Sequence, residues 1–169
     1  MPLISARRAR AWPAALFLAA LAALGGGAQA AVTCLLTVTP LSFGTYDPAW
    51  PTPTTGSASL GLSCRASQVT DPLSVPFRVS LGSGQQGSYA AQALRGNVSG
   101  TLNYQLFTPL GARWGDGSAG TSTVTGTVLL PVTLGTLGSA VLTVNGVVPA
   151  GQRVFAGTYS DTVTVTVEF

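Results

Sequence analysis

The sequence predicts an all-β fold, a sandwich or a barrel formed by a single domain. From about residue 31 onward, short runs of alternating apolar and polar residues are separated by clusters of Gly, Pro, Ser and Asp. No stretch of this region has the apolar spacing of a helix. Residues 31–169 have the length of one domain, and no internal boundary is indicated.

The first thirty residues have the features of a secretory signal peptide. Three arginines precede a short apolar run at residues 14–24, and an Ala-Gln-Ala cleavage site ends at Ala30. The apolar run is about half as long as a membrane-spanning helix, so we expect no transmembrane anchor. The prediction is a signal peptide at residues 1–30 and an exported β-domain at residues 31–169.

The first half of the domain contains three predicted strands. The first covers residues 34–38 and continues past Pro40 to Phe43. The second covers residues 58–64. The third covers residues 75–81, where Pro76 predicts a sheet edge or a bend.

The second half adds a weak strand candidate at residues 89–94 and a clear strand at residues 102–106. Two more β-prone runs, at residues 123–134 and 140–148, flank a glycine-rich break. The total is seven or so strands.

The last predicted strand runs from Thr158 to the final residue, Phe169, with strict alternation between its two faces. A terminal strand has no following strand to pair with. Either it lies in the middle of a completed sheet, or another chain fills its free side.

Cys34 and Cys64 are the only cysteines, and their side chains fall on the inward faces of the first two strands. In an exported chain they are expected to form one structural disulfide. The pattern leaves open whether the bond joins neighbouring strands or facing sheets.

Charge and composition exclude several function classes. The chain has no histidine and no lysine, which excludes Ser-His-Asp and Cys-His catalytic sites, Ser-Lys dyads and His-containing zinc sites. Residues 31–169 contain equal numbers of arginines and acidic residues, so their formal net charge is zero and we expect no nucleic-acid partner. We therefore predict neither an enzyme nor a cofactor or metal site, and interpret Asp116 as a turn residue.

Two tryptophans are candidates for contact with a target. Trp50 lies in a proline-rich loop, and Trp114 follows Arg113 at a predicted turn. An exposed ring at either place could bind a sugar or another surface, whereas a buried ring would cap one end of the sandwich.

Three stretches together resemble the spore coat protein U domain family, which includes subunits of archaic, Csu-type chaperone-usher pili. They read CLLTV leading to FGTYDP at residues 34–48, LNYQL leading to WGDG at residues 102–117, and PAGQ leading to GTYSDTVTV at residues 149–165. Residues 123–146 depart from the family pattern, being longer and richer in glycine.

The resemblance implies an immunoglobulin-like sandwich that lacks its last strand and is completed by donor-strand pairing. It implies a pilus subunit whose partners are a periplasmic chaperone, an outer-membrane usher and a neighbouring subunit, and whose role is cell adhesion and biofilm formation. The donor-strand groove would be lined by Leu36, Val38, Val163, Val165, Val167 and Phe169. In a self-complete secreted coat or matrix protein, the alternative, these would be ordinary core residues.

A position at the fibre tip is a further expectation. If cleavage follows Ala30, only three residues precede Cys34. A donor segment needs roughly ten or more residues at about 3.3 Å each. Such a chain accepts a strand and has none to donate.

Overall fold

Ten β-strands form the fold of residues 32–169, the part of the chain that the computed structural model describes, and these residues include no helix. The all-β prediction is confirmed. The predicted signal peptide at residues 1–30 lies outside the described residues. The strands are β1 (Val32–Val38), β2 (Thr54–Ala66), β3 (Ser74–Leu81), β4 (Gly87–Ser88), β5 (Ala91–Gly96), β6 (Thr101–Phe107), β7 (Val124–Leu129), β8 (Leu137–Val148), β9 (Tyr159–Ser160) and β10 (Val165–Glu168).

The strands form two antiparallel sheets. The larger has the order β1-β2-β8-β6-β5-β4, with β9 also paired to β5, and the smaller has the order β10-β3-β7. Leu60 and Leu62 from β2 share one hydrophobic core with Phe77 and Val79 from β3. The sheets therefore pack face to face as a sandwich, as the resemblance implied.

The disulfide prediction is confirmed, and the structure resolves which elements the bond joins. Cys34 of β1 and Cys64 of β2 are direct cross-strand partners with Cα atoms 4.1 Å apart, and their sulfur atoms are bonded. The bond thus links neighbouring strands of one sheet. It ties the edge strand β1 to the strand beside it.

The predicted single strand from Thr158 to Phe169 is wrong as one element. Its first part, β9, pairs with β5 in the larger sheet, whereas β10 pairs with β3 in the smaller sheet. The chain crosses between the sheets at Asp161, whose carboxylate accepts hydrogen bonds from groups outside this segment. The alternation of faces continues through the crossing, which is why the sequence reads as one strand.

The predicted continuation of the first strand to Phe43 is also not a strand. Thr39 still bonds to Ser59, but pairing stops at Pro40, which has no N–H to donate. Phe43 instead packs over Gly146, where a Cβ would lie 2.7 Å from the ring. The glycine is needed because only a bare backbone leaves room for the aromatic side chain.

The strand containing Pro76 lies at the centre of the smaller sheet, yet the proline is tolerated. Pro76 is opposite Thr127 of β7, and the pairing with β10 ends at Arg78. This section of β3 therefore has a neighbour on one side only, consistent with the predicted edge environment.

We expect removal of the disulfide to destabilise the domain. The double variant Cys34→Ala/Cys64→Ala should lose about 2–4 kcal/mol of unfolding free energy, because the bond closes a loop with a sequence separation of 30. Urea unfolding of the purified domain measures this loss. Chemical reduction of the unmodified protein is the matched control and should give a similar loss. An unchanged urea midpoint would contradict the prediction.

Candidate functional site: an open groove between two sheet edges

Each sheet has one edge strand, β1 in the larger sheet and β10 in the smaller, whose unpaired side faces the same opening. Among the described residues, β1 pairs only with β2, and β10 pairs only with β3. Each edge therefore presents backbone N–H and C=O groups with no partner in a neighbouring strand. The two edges belong to different sheets and border the same opening.

A cavity of about 320 Å³ lies in this opening, which we call the groove cavity. One wall is the end of β1 with the segment that follows it, and the other is the crossing segment with the start of β10. Its floor is the hydrophobic core. The lining residues are Val38, Thr39, Pro40, Leu41, Phe43, Ala58, Leu60, Leu81, Leu94, Tyr104, Leu106, Val144, Asp161, Thr162, Val163 and Val165.

Burial along the strands shows that the core is incomplete on this side. The inward residues of β2 and β3, such as Leu62 and Val79, are buried. The inward residues of β1 and β10, such as Leu36 and Val165, are only half-buried although they pack against the same core. Within residues 32–169, no further strand pairs beside β1 or β10 on this side to cover them.

The structure brings half of the predicted groove residues together. Val38, Val163 and Val165 line the groove cavity. Leu36 and Val167 are half-buried against the core but do not line the groove cavity. Phe169 is 62 % exposed and lies outside the core cluster, beyond the last paired residue of β10. Their role in binding a donor strand stays a prediction.

The sequence reasoning missed the polar end of the groove. Tyr104 is 3 % exposed, and its hydroxyl donates a hydrogen bond to Asp161 Oδ2 at 2.7 Å. Asp161 Oδ1 accepts hydrogen bonds from the backbone N–H of Gln85 at 2.9 Å and of Thr162 at 2.8 Å. Burial, followed by the hydrogen bond to Asp161, raises the pKa of the Tyr104 phenol far above its usual range. The tyrosine therefore keeps its proton at neutral pH and donates it to the carboxylate of Asp161.

Trp114 is not an exposed contact residue, so this part of the prediction needs correction. Its side chain is 1 % exposed, and its Nε1 donates a hydrogen bond to the carbonyl of Val79 at 3.1 Å. The ring belongs to the core because its backbone is fixed beside β6 by a bond to Leu106. Trp50 is 52 % exposed in its loop, and its contact role stays a prediction.

The acidic turn has a structural role. Asp116 Oδ1 accepts hydrogen bonds from the backbone N–H and the hydroxyl of Ser118, at 2.8 and 2.6 Å. These bonds from Ser118 hold the pKa of Asp116 below its usual value. In residues 32–169 no three potential metal ligands come together, and no helix is long and apolar enough to cross a membrane.

Sequence comparison identifies the family of the domain. The family model of the Spore Coat Protein U domain matches residues 18–166, nearly the whole chain. The chain belongs to the spore coat protein U domain family. Comparison with curated protein sequences finds no significant match.

A solved structure has the same fold as this spore coat U domain. It is the chaperone–tip adhesion subunit pre-assembly complex CsuC–CsuE from the archaic chaperone-usher Csu pili of Acinetobacter baumannii. The match has a TM-score of 0.54 and 24 % identity, and it covers 82 % of this chain. It covers only 40 % of the other chain, so this spore coat U domain corresponds to less than half of that chain.

We expect the Tyr104–Asp161 hydrogen bond to stabilise the groove. Tyr104→Phe leaves a carboxylate oxygen without its donor and should cost about 1–3 kcal/mol of unfolding free energy. Because folding raises the pKa of Tyr104, this contribution is complete below the unfolded value of about 10 and declines as the pH rises above it. Urea unfolding near pH 7 and near pH 11 measures both effects.

Tyr159→Phe is the matched control, since its hydroxyl donates to the exposed carbonyl of Phe155. It should cost less than about 1 kcal/mol. Equal losses for the two variants would argue against a special role for the Tyr104 bond.

Proposed function

We propose that this spore coat U domain is a non-enzymatic structural or adhesive subunit of a chaperone-usher pilus. In this role the groove accepts an extended strand from a periplasmic chaperone or from a neighbouring subunit. The observation that carries the proposal is the pair of unpaired edges, β1 and β10, on either side of an open apolar cavity.

The chemistry of the groove suits a strand better than a small ligand. An added strand pairs its backbone with a free sheet edge and places alternate side chains in the cavity. Val163 and Val165 provide apolar contacts at the same two-residue spacing. Of the lining residues, few offer polar groups that would orient a compact substrate.

The free energy of burying apolar side chains indicates how much of the stability of the domain an added strand would supply. Burying one Val or Leu side chain contributes about 1.5–3 kcal/mol. Three such side chains would contribute roughly 5–9 kcal/mol, which is comparable to the whole stability of an ordinary domain at about 5–15 kcal/mol. We therefore expect the domain alone to be marginally stable and to need a chaperone before assembly.

Export and assembly complete the proposal. Residues 1–30 would direct the chain to the periplasm, where the chaperone supplies the first strand, and an outer-membrane usher would then pass the subunit to the cell surface. The matched structure is itself named as a complex of a chaperone with a tip adhesion subunit.

A tip position, used for surface attachment and biofilm formation, is the finer part of the proposal. Val69 and Val132 are 84 % and 82 % exposed in the loops that follow β2 and β7. The loops lie at the same end of the sandwich, since the Leu130 N–H donates to the Leu73 carbonyl. Exposed aliphatic side chains on adjacent loops favour contact with an apolar target.

The groove is tested by producing residues 31–169 in a bacterial periplasm with and without the cognate pilus chaperone. We expect soluble protein chiefly as a one-to-one complex, with at least a severalfold lower yield of the domain alone. Val165→Asp should abolish complex formation because it places a charge in the apolar groove. The outward-facing variant Thr166→Asp is the matched control and should preserve the complex.

The opposite outcome would favour the self-complete coat or matrix protein. In that case the domain alone is a monomer as stable as the domain with chaperone, and the chaperone does not bind it.

The tip proposal is tested by attachment of cells that display the assembled fibre. Val69→Ser together with Val132→Ser should reduce attachment to an apolar plastic severalfold, because the exposed aliphatic area is lost. Val141→Ser is the matched control, since Val141 is 69 % exposed on a strand, β8, rather than in these loops. Equal attachment by all three strains would contradict the tip proposal.

A further inference from the structure

The crossing segment contributes one acidic side chain to the groove cavity. Of the described residues that line the groove cavity, Asp161 is the only Asp, Glu, Lys or Arg. It lies where the chain crosses between the sheets, opposite the wall formed by Leu41 and Phe43. A strand that fills the groove must place a side chain close to this carboxylate.

The carboxylate has spare capacity as a hydrogen-bond acceptor. Oδ1 accepts from the Gln85 and Thr162 N–H groups, and Oδ2 accepts from the Tyr104 hydroxyl. A carboxylate offers about four lone-pair sites, so one remains on Oδ2. All three present donors are neutral, so none compensates the negative charge.

The position of the carboxylate is fixed. Gly84 has a φ of +87°, and a Cβ at this residue would overlap Asp161 Oδ2. The loop backbone therefore lies directly against the carboxylate, while Tyr104 holds it from the core side. Such a group cannot turn away when an apolar side chain approaches.

Strand geometry determines which donor residue reaches it. Asp161, Val163, Val165 and Val167 all point inward at a two-residue spacing. A donor strand beside β10 has the same spacing. The pairing with the smaller sheet continues to Thr164, whose carbonyl accepts from Gly82 N–H. A donor strand that runs on from there towards the crossing segment brings its next inward side chain to Asp161 after three apolar positions.

We propose that Asp161 is a specificity-determining residue of the groove, selecting donor strands whose inward side chain at this level donates a hydrogen bond. Lys, Arg, Ser, Thr and Asn fit, whereas Leu or Val would remove water from the carboxylate without replacing its hydrogen bond. The partner is thus an extended segment with alternating apolar residues followed by one polar donor. This inference rests on the proposed strand-accepting function.

The test uses the chain extended beyond Phe169 by an Asn-Gly turn and a strand that folds back along β10. The added strand has valine at the three inward positions level with Val167, Val165 and Val163, and a variable residue at the fourth. Versions with Lys, Ser or Leu there are compared with the unextended chain by urea unfolding. We expect the Lys and Ser versions to have an unfolding equilibrium constant about tenfold smaller than that of the Leu version, because they are the more stable.

Two controls separate specificity from general stabilisation. In the Asp161→Asn background the advantage of Lys over Leu should disappear. In the unmodified domain, moving the lysine to the position level with Val165 should cancel its benefit, which keeps the test decisive if Asp161→Asn fails to fold.

Three outcomes are distinguishable. Preference for Lys and Ser that depends on Asp161 supports the inference. Equal stabilisation by all versions, or preference for Leu, overturns the inference and leaves the strand-accepting function intact. No stabilisation by any version overturns both.

Discussion

Backbone groups at the edge of a sheet need hydrogen-bond partners, and in this domain one unpaired edge of each sheet borders the same gap. β1 ends one sheet and β10 ends the other, and the inward side chains of both are half-buried. Unpaired edges and an uncovered core are two aspects of the same deficit, since one added strand would supply both backbone partners and apolar side chains. The proposed pilus function follows from this coincidence.

Three local features fix the strands that border the open groove. The disulfide fixes β1 to β2 at Cys34 and Cys64. The packing of Phe43 over Gly146 fixes the segment after β1 against β8. The hydrogen bonds of Asp161 hold the opposite wall where the chain changes sheets. Each constraint lies beside the groove cavity or on the strand that borders it.

The sequence predicted most of the fold because period-two alternation depends only on which face of a strand meets the core. Strands β2, β3 and β6 were found this way, whereas the disulfide was expected because an exported chain has only two cysteines. The split of the last strand was not predictable, because alternation continues unchanged while the hydrogen-bond partners change from β5 to β3.

The polar end of the groove was also missed, because its bonds join residues far apart in sequence. Tyr104 and Asp161 are 57 positions apart, and neither has a local signature of the contact. For Trp114 the sequence was consistent with a buried or an exposed ring. In the structure the ring is buried, and its Nε1 donates a hydrogen bond to the carbonyl of Val79.

The cross-strand disulfide also makes the folding of the domain depend on the cellular compartment. Thiols stay reduced in the cytoplasm, so the link between β1 and β2 can form only in an oxidising compartment. On the proposed route, the chain would travel to the export machinery with its first edge strand untethered and easier to keep unfolded. Oxidation would then fix that strand in the periplasm, which is also where the proposed chaperone acts. The domain would therefore become able to fold in the same compartment in which its partner is present.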